Sequence, residues 1–293
     1  MKIVDCFMYS DEDMMLDIRL NVLDKYVSNF IICEASFNHN GSPKKLNFNI
    51  NNFSKFKNKI IYLSIEKQPD DLRIINNEDD DNKKNSKILD NALNRENYQR
   101  NYLFKGLDEF SDDDLILIND LDEIPNLENF KYNNKITLFK QKMFYYKLNL
   151  IYPNFFWVGS KACKKKHLVN PQWMRNIKSK KYSFWRLDTF FSEKKYIDIS
   201  FVDNGGWHFS NIKNAKELDK KMKTFLHHLE YEESGMNAKD LEKNILERNV
   251  FYNHFADKKT NKMGYKTKLE KIDLNQLPDF IKLNQEKFNQ WLD

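Results

Sequence analysis

Apolar positions follow two different rhythms along this chain, and the change falls near residue 126. Before it, short unbroken apolar runs alternate with stretches whose apolar residues recur at helical spacing. Ile3 to Tyr9 reads as a short buried strand. Asp13 to Tyr26 carries Met14, Ile18, Leu20, Val22 and Leu23 at helical spacing, with Asp11 as the predicted N-cap. Asn29 to Glu34 and Lys59 to Ile65 are further strands, separated by a polar loop, Ser36 to Lys45, with an Asn40-Gly41 turn signal. Residues 76–87 are charged and polar and read as a mobile surface excursion. Asn91 to Leu107 is predicted as a long helix with Ala92, Leu93, Tyr102, Leu103 and Leu107 turned inward. Leu115 to Ile118 then forms an apolar strand that stops abruptly at Asn119, Asp120, Asp122, Glu123 and Pro125.

Strands alternating with helices predict an α/β protein with a mainly parallel sheet covered on both faces. In such sheets the ligand crevice lies beyond the carboxyl ends of the strands, where Glu34, Asp120 and Asp122 fall. The second half is more strand-like and aromatic: residues 136–150 include Phe139, Phe144, Tyr145 and Tyr146, and Phe155 to Gly159 follows. A strand from Ile197 to Phe201 runs into Asp203-Asn204-Gly205-Gly206-Trp207-His208-Phe209-Ser210. Lys213 to Tyr231 reads as one amphipathic helix with Leu218, Met222, Phe225, Leu226 and Leu229 inward. Residues 266–293 look like an extension ending in a helix, Asp279 to Trp291, and no internal repeat is visible.

Composition narrows the picture without deciding it. The 293 residues suffice for a substantial core, and 14% are aromatic. With 48 basic and 43 acidic residues the net charge is +5, a balance that does not point to nucleic acid. Cys6, Cys33 and Cys163 are odd in number and far apart, which predicts reduced thiols, no structural zinc and a cytosolic setting. Met1-Lys2 leads straight into the first strand, so no signal peptide is expected, and no run is long enough to span a bilayer. The expectation is a soluble, cytoplasmic protein, with peripheral membrane contact left open.

The chemistry concentrates at Asp120-Leu121-Asp122. An extended backbone would place both carboxylates on one side, and hard divalent cations take such oxygen ligands together with substrate phosphates. A bare Asp-X-Asp also arises by chance, and an acidic strand-to-helix turn is the competing reading. Lys164-Lys165-Lys166-His167 is basic enough for phosphate, although a solvated turn explains it as well.

Further segments carry a resemblance: Val4-Asp5-Cys6-Phe7-Met8-Tyr9 with Glu12 and Arg19-Leu20; Phe30-Ile31-Ile32-Cys33-Glu34-Ala35; Asn40-Gly41 with Lys44; Arg95-Glu96 with Gln99-Arg100-Asn101; Asn119 to Pro125; and Gly206-Trp207-His208-Phe209-Ser210 followed by His227-His228-Leu229-Glu230. In this order they resemble glycosyltransferase family 17, over roughly residues 1–255. The resemblance implies a GT-A, Rossmann-like fold over 1–255, with a nucleotide-sugar part (1–125), an acceptor part (126–255) and a C-terminal helical extension (256–293). It further implies an inverting transfer of a sugar, GlcNAc by family, from a UDP-sugar to a glycan, with Mn²⁺ or Mg²⁺. The animal members are membrane-anchored Golgi enzymes; this chain shows no anchor, so a polysaccharide or lipid-linked acceptor fits equally well. On this reading Asp122 coordinates the metal and Asp120 reaches the ribose or a metal-bound water. His208 is the third ligand or, with equal weight, a satisfied core histidine. Arg95 and Arg100 are candidates to clamp the diphosphate, Glu34 to accept from uridine or ribose hydroxyls, and Phe7 and Tyr9 to stack on uracil. Asp188, Asp203 and Glu230 compete for the role of general base.

Two other readings stand beside this one. A nucleotidyltransferase would carry a Gly-rich loop after the first strand, but residues 7–13 are acidic and Gly-free. A catalytically silent glycan-binding module would use Trp and Tyr as sugar platforms, and the joint presence of Asp120, Asp122 and His208 argues against it.

Overall fold

All five residues of Leu115–Asn119 are buried, as an apolar run demands when both faces of a sheet are covered. The computed structural model describes residues 1–225, 228–254 and 263–293, apart from the side chains of 263–265. The chain runs β1 (Ile3–Tyr9), α1 (Asp13–Leu23), β2 (Asn29–Ala35), β3 (Ile60–Ile65), α2 (Asp81–Tyr102), β4 (Leu115–Asn119), β5 (Glu123–Pro125), β6 (Ile136–Phe139), β7 (Gln141–Tyr145), β8 (Leu150–Trp157), β9 (Lys161–Lys164), α3 (Pro171–Asn176), β10 (Ile199–Val202), β11 (Gly206–Ser210) and α4 (Ala215–Met222). Then come α5 (His228–Glu233), α6 (Ala238–Leu246), β12 (Asn249–Tyr252), β13 (Met263–Lys268), β14 (Glu270–Lys271), α7 (Asp279–Leu283) and α8 (Gln285–Phe288).

Seven strands form the central sheet in the order β10-β6-β9-β4-β1-β2-β3, with only β9 antiparallel to its neighbours. It is the mixed α/β, mostly parallel sheet flanked by helices that the alternating pattern predicts. The order reverses between β1 and β4, so a crevice opens beyond Tyr9 and Asn119, at the switch point where α/β proteins bind ligands. A second sheet, β14-β8-β7-β11-β5, takes up the aromatic half. Its strand β5 follows β4 after a single turn, so residues 120–122 link one sheet to the other.

Several element boundaries differ from expectation, each for a local reason. Helix α1 ends at Leu23 rather than Tyr26, and Asp11 does not cap it, because its carboxylate pairs with Lys213 at 2.9 Å. The charged run 76–87 is helical from Asp81: Asp80 caps α2 by accepting from the Lys83 N–H at 2.8 Å, and Asp79 pairs with Lys83 and Lys87. In the same helix Leu93 is exposed rather than core, and the chain tightens to a 3₁₀ turn over Leu103–Leu107. The long helix expected over 213–231 is two pieces, α4 and α5, while Leu226 and His227 lie outside the described residues. The C-terminal helix is likewise broken into α7 and α8, and Leu277, Ile281 and Phe288 enter the same buried cluster as Leu16, Ile18 and Leu20 of α1.

Candidate active site

The Asp120-Leu121-Asp122 segment is not extended. The Glu123 N–H donates to the Asp120 carbonyl at 3.0 Å and closes a turn, so period-2 geometry does not apply. The turn is held from beneath by Arg19, wholly buried on α1. Its Nη1 donates to the carbonyls of Glu123 (2.6 Å), Leu121 (3.1 Å) and Asp120 (3.1 Å). Its other nitrogens grip Asp5 of β1 at 2.7 and 2.6 Å, and Asn119 donates to the same carboxylate at 2.6 Å. The Phe7 ring lies against the guanidinium, 4.6 Å from Cζ to centroid. A planar, permanently charged fork satisfies this mix of carboxylate and carbonyls, which an ammonium group would not.

Asp120 turns toward α2 and α3. Its Oδ1 accepts from Arg100 at 3.1 Å and its Oδ2 from Arg175 at 2.7 Å. Burial alone would raise its pKa, but the charges of Arg175 and Arg100 outweigh that and hold it well below the usual carboxylate range. Arg175 also forks onto Glu123, at 2.5 and 2.9 Å, while Glu123 accepts from the Trp157 ring N–H at 2.5 Å and from the Asp120 N–H at 2.8 Å. Gly159 is required here, since a Cβ at that position would stand 1.8 Å from the Glu123 carboxylate. Lys161 supports α3 from below by donating to the carbonyls of Arg175 (2.8 Å) and Ile177 (2.7 Å). Burial, reinforced by the charge of Arg175, pushes the Lys161 pKa down to about 7.

Asp122 faces the other way, toward β11. Its carbonyl accepts from the Phe209 N–H at 2.9 Å, and its Oδ2 stands 3.5 Å from His208 Nε2. Gly206 permits this approach: its φ is +119°, and a Cβ would lie 2.1 Å from the Ile124 carbonyl. Burial disfavours the charged form of both partners, yet their mutual attraction prevails, so the His208 pKa is raised and that of Asp122 lowered. His208 Nδ1 is buried with no hydrogen-bond partner among the described residues, while Nε2 faces Asp122.

Above the turn lies a cavity of about 630 Å³, lined by Met8, Tyr9, Arg100, Asp120, Asp122 and Trp157, among others. A second cavity of about 350 Å³, lined by His208, Met222, Phe251 and Tyr252, shares Trp157, Asn211, Lys221 and Phe225 with the first. The expected residues Asp120, Asp122, His208, Arg100 and Tyr9 are thus brought together. Tyr9 is nevertheless buried, with its hydroxyl donating to Asp13.

Other expected residues stand elsewhere. Phe7 is buried beneath Arg19 and cannot reach a base. Glu34 is fully buried and accepts from Lys44, the Asn47 and Phe48 N–H groups and the Tyr62 hydroxyl, which leaves no room for a ribose. Arg95 is held by Gln68 and the His39 carbonyl. Asp188 is exposed and paired with Arg186 and Lys195, Asp203 is exposed and paired with Lys140, and Glu230 on α5 lines neither cavity. Arg19, Arg175 and Glu123 do the positioning that sequence reasoning missed. Arg175 left no signal in the pattern, because it sits on a six-residue helix more than fifty positions from its carboxylate partners.

A Rossmann-like sheet with a carboxylate-bearing turn at its switch point is a frame for nucleotide-dependent group transfer. The family model of glycosyltransferase family 17 matches residues 1–292, and the chain belongs to that family. It is therefore a glycosyltransferase, with a sugar donor and an acceptor as its partners. No curated protein matches the chain.

Proposed function

We propose that this glycosyltransferase is metal-dependent and inverting, with a GT-A fold, and that it moves GlcNAc from UDP-GlcNAc to a glycan in the cytoplasm. The observation that carries the reading is the pair Asp122–His208, 3.5 Å apart beside the larger cavity. Adjacent ligands of an octahedral cation stand about 3 Å apart, so this carboxylate and imidazole fit Mn²⁺ or Mg²⁺ with a small adjustment. Among the described residues no three of His, Cys, Asp and Glu cluster closely enough to cage a metal. Diphosphate oxygens are the natural source of the remaining ligands. When bound, the cation supplies neutralisation of the leaving diphosphate.

The chain's own residues do the rest. Arg19 fixes the turn that presents Asp122, and Arg100 and Arg175 hold Asp120, with the Arg100 guanidinium at the wall of the larger cavity where a diphosphate would lie. The second cavity, with Trp157, Phe225 and Tyr252 on its walls, suits the apolar faces of an acceptor sugar. Of the carboxylates that line the larger cavity, Glu12 and Glu217 are the candidate bases in this reading.

The test is UDP release from a panel of UDP-sugars with Mn²⁺, Mg²⁺ or EDTA. UDP-GlcNAc should be the fastest donor, and Asp122→Asn should lower the rate at saturating donor by about 100-fold or more. His208→Ala should raise the metal concentration required. Full activity in EDTA, or an unchanged metal requirement in both variants, would refute the reading. Glu12→Gln and Glu217→Gln then separate the bases, since the true one loses transfer while UDP binding persists.

A further inference from the structure

Residues 178–195 connect α3 to β10 and form a stemmed loop. The stem is closed by the Lys178 N–H donating to the Lys194 carbonyl at 2.8 Å, and by the Trp173 ring N–H donating to the Glu193 carbonyl at 3.0 Å. Beyond it, Phe184, Trp185, Leu187, Phe190 and Phe191 are 62, 75, 73, 72 and 92% exposed. No other ten-residue stretch among the described residues exposes more than two large hydrophobic side chains. The knuckle that presents them is ordered by hydrogen bonds: Thr189 N–H and Oγ1–H donate to the Arg186 carbonyl at 3.1 and 2.6 Å, and Phe190 N–H donates to Leu187 at 3.1 Å.

The surrounding charge is one-sided. The loop carries six basic residues (Lys178, Lys180, Lys181, Arg186, Lys194 and Lys195) against Asp188 and Glu193, a net +4, while the whole chain is +5. Asp188 is already neutralised by Arg186 and Lys195. A run of exposed apolar side chains interspersed with basic residues marks a recognition surface. Tryptophan and phenylalanine flanked by lysine match the acyl–headgroup boundary of a bilayer, where lysine stems lie along apolar surface and their charges meet anionic headgroups. A second copy of the same loop would oppose like charges, which disfavours self-pairing.

We propose that residues 178–195 seat the protein on an anionic lipid bilayer, with the aromatic side chains in the acyl boundary and the basic residues of the loop on the headgroups. The proposal rests on this surface alone and stands apart from donor and metal chemistry. The stem begins three residues after Arg175, about 11 Å of extended chain at most, so a seated loop brings the transfer site beside the membrane.

The experiment is co-sedimentation of the full chain with phosphatidylcholine vesicles, with and without phosphatidylglycerol. Binding should require phosphatidylglycerol and weaken with added salt. It should fall about tenfold or more in the triple variant Trp185→Ser/Phe190→Ser/Phe191→Ser, and also in Lys180→Glu/Lys181→Glu. Because these side chains are exposed, both variants should keep the wild-type thermal midpoint, which separates lost binding from lost folding. Wild-type protein that ignores phosphatidylglycerol vesicles would overturn the proposal, as would a triple variant that binds like wild type. So would a concentration-dependent dimer in sedimentation velocity that the triple variant abolishes, without vesicle binding.

Discussion

At the scale of single residues, Arg175 has the most to lose. It is the partner of two carboxylates, one of them buried, and its removal leaves the buried Glu123 without its fork. Arg175→Met is expected to destabilise the protein by about 3–5 kcal/mol, read as a lowered denaturation midpoint at unchanged slope. A loss under about 1 kcal/mol would show that the fork does not hold the turn. Lys161 supplies a pH signature. Its pKa falls from the ordinary 10.5 to about 7, so between those values the unfolded chain binds a proton that the native chain lacks. Stability from this group is complete above 10.5 and is lost as pH falls through 7, so unfolding free energy should climb with pH across that window. Lys161→Met should flatten the climb, measured by urea unfolding at a series of pH values. Asp120 and Asp122 were legible as a chemical pair from the strand in front of them. Their divergence was not, because it depends on Arg100, Arg175 and His208, which converge only through the tertiary fold.

At the scale of elements, the apolar runs were the most readable features. Ile3–Tyr9, Asn29–Ala35 and Leu115–Asn119 are strands because consecutive branched and aromatic residues suit a sheet buried on both faces. The misread elements are those in which local polar chemistry overrides average polarity. The start of α2 is a helix because Asp79 and Asp80 cap and pair it, a pattern that composition alone reads as a loop. A helix as short as the six-residue α3 carries too few turns to show a period. The C-terminal elements α7 and α8 yield a firmer expectation. Burying Leu277, Ile281 and Phe288 contributes about 1.5–3 kcal/mol each, against a net stability of about 5–15 kcal/mol. Deleting residues 274–293 should therefore abolish or severely weaken the cooperative thermal transition followed by circular dichroism. A truncated chain that melts at the wild-type temperature would show that this segment is dispensable.

At the scale of the whole molecule, two sheets divide the labour. The parallel sheet brings Met8, Tyr9 and the turn at Asp120 to the larger cavity, while the antiparallel-rich sheet brings His208 to the smaller one and Trp157 to both. Among the described residues no helix is long and apolar enough to cross a membrane. One of the covalent links between the sheets is the turn from Asn119 to Glu123, with one carboxylate turned to each side. A ligand that engages both sides of that turn works as a non-covalent crosslink: each layer then loses the freedom to open without the other. Amide hydrogen exchange should therefore slow in β11, in the distant sheet, by as much as in β4 when UDP and Mn²⁺ are added together. Protection confined to β4 would mean that the two layers breathe independently.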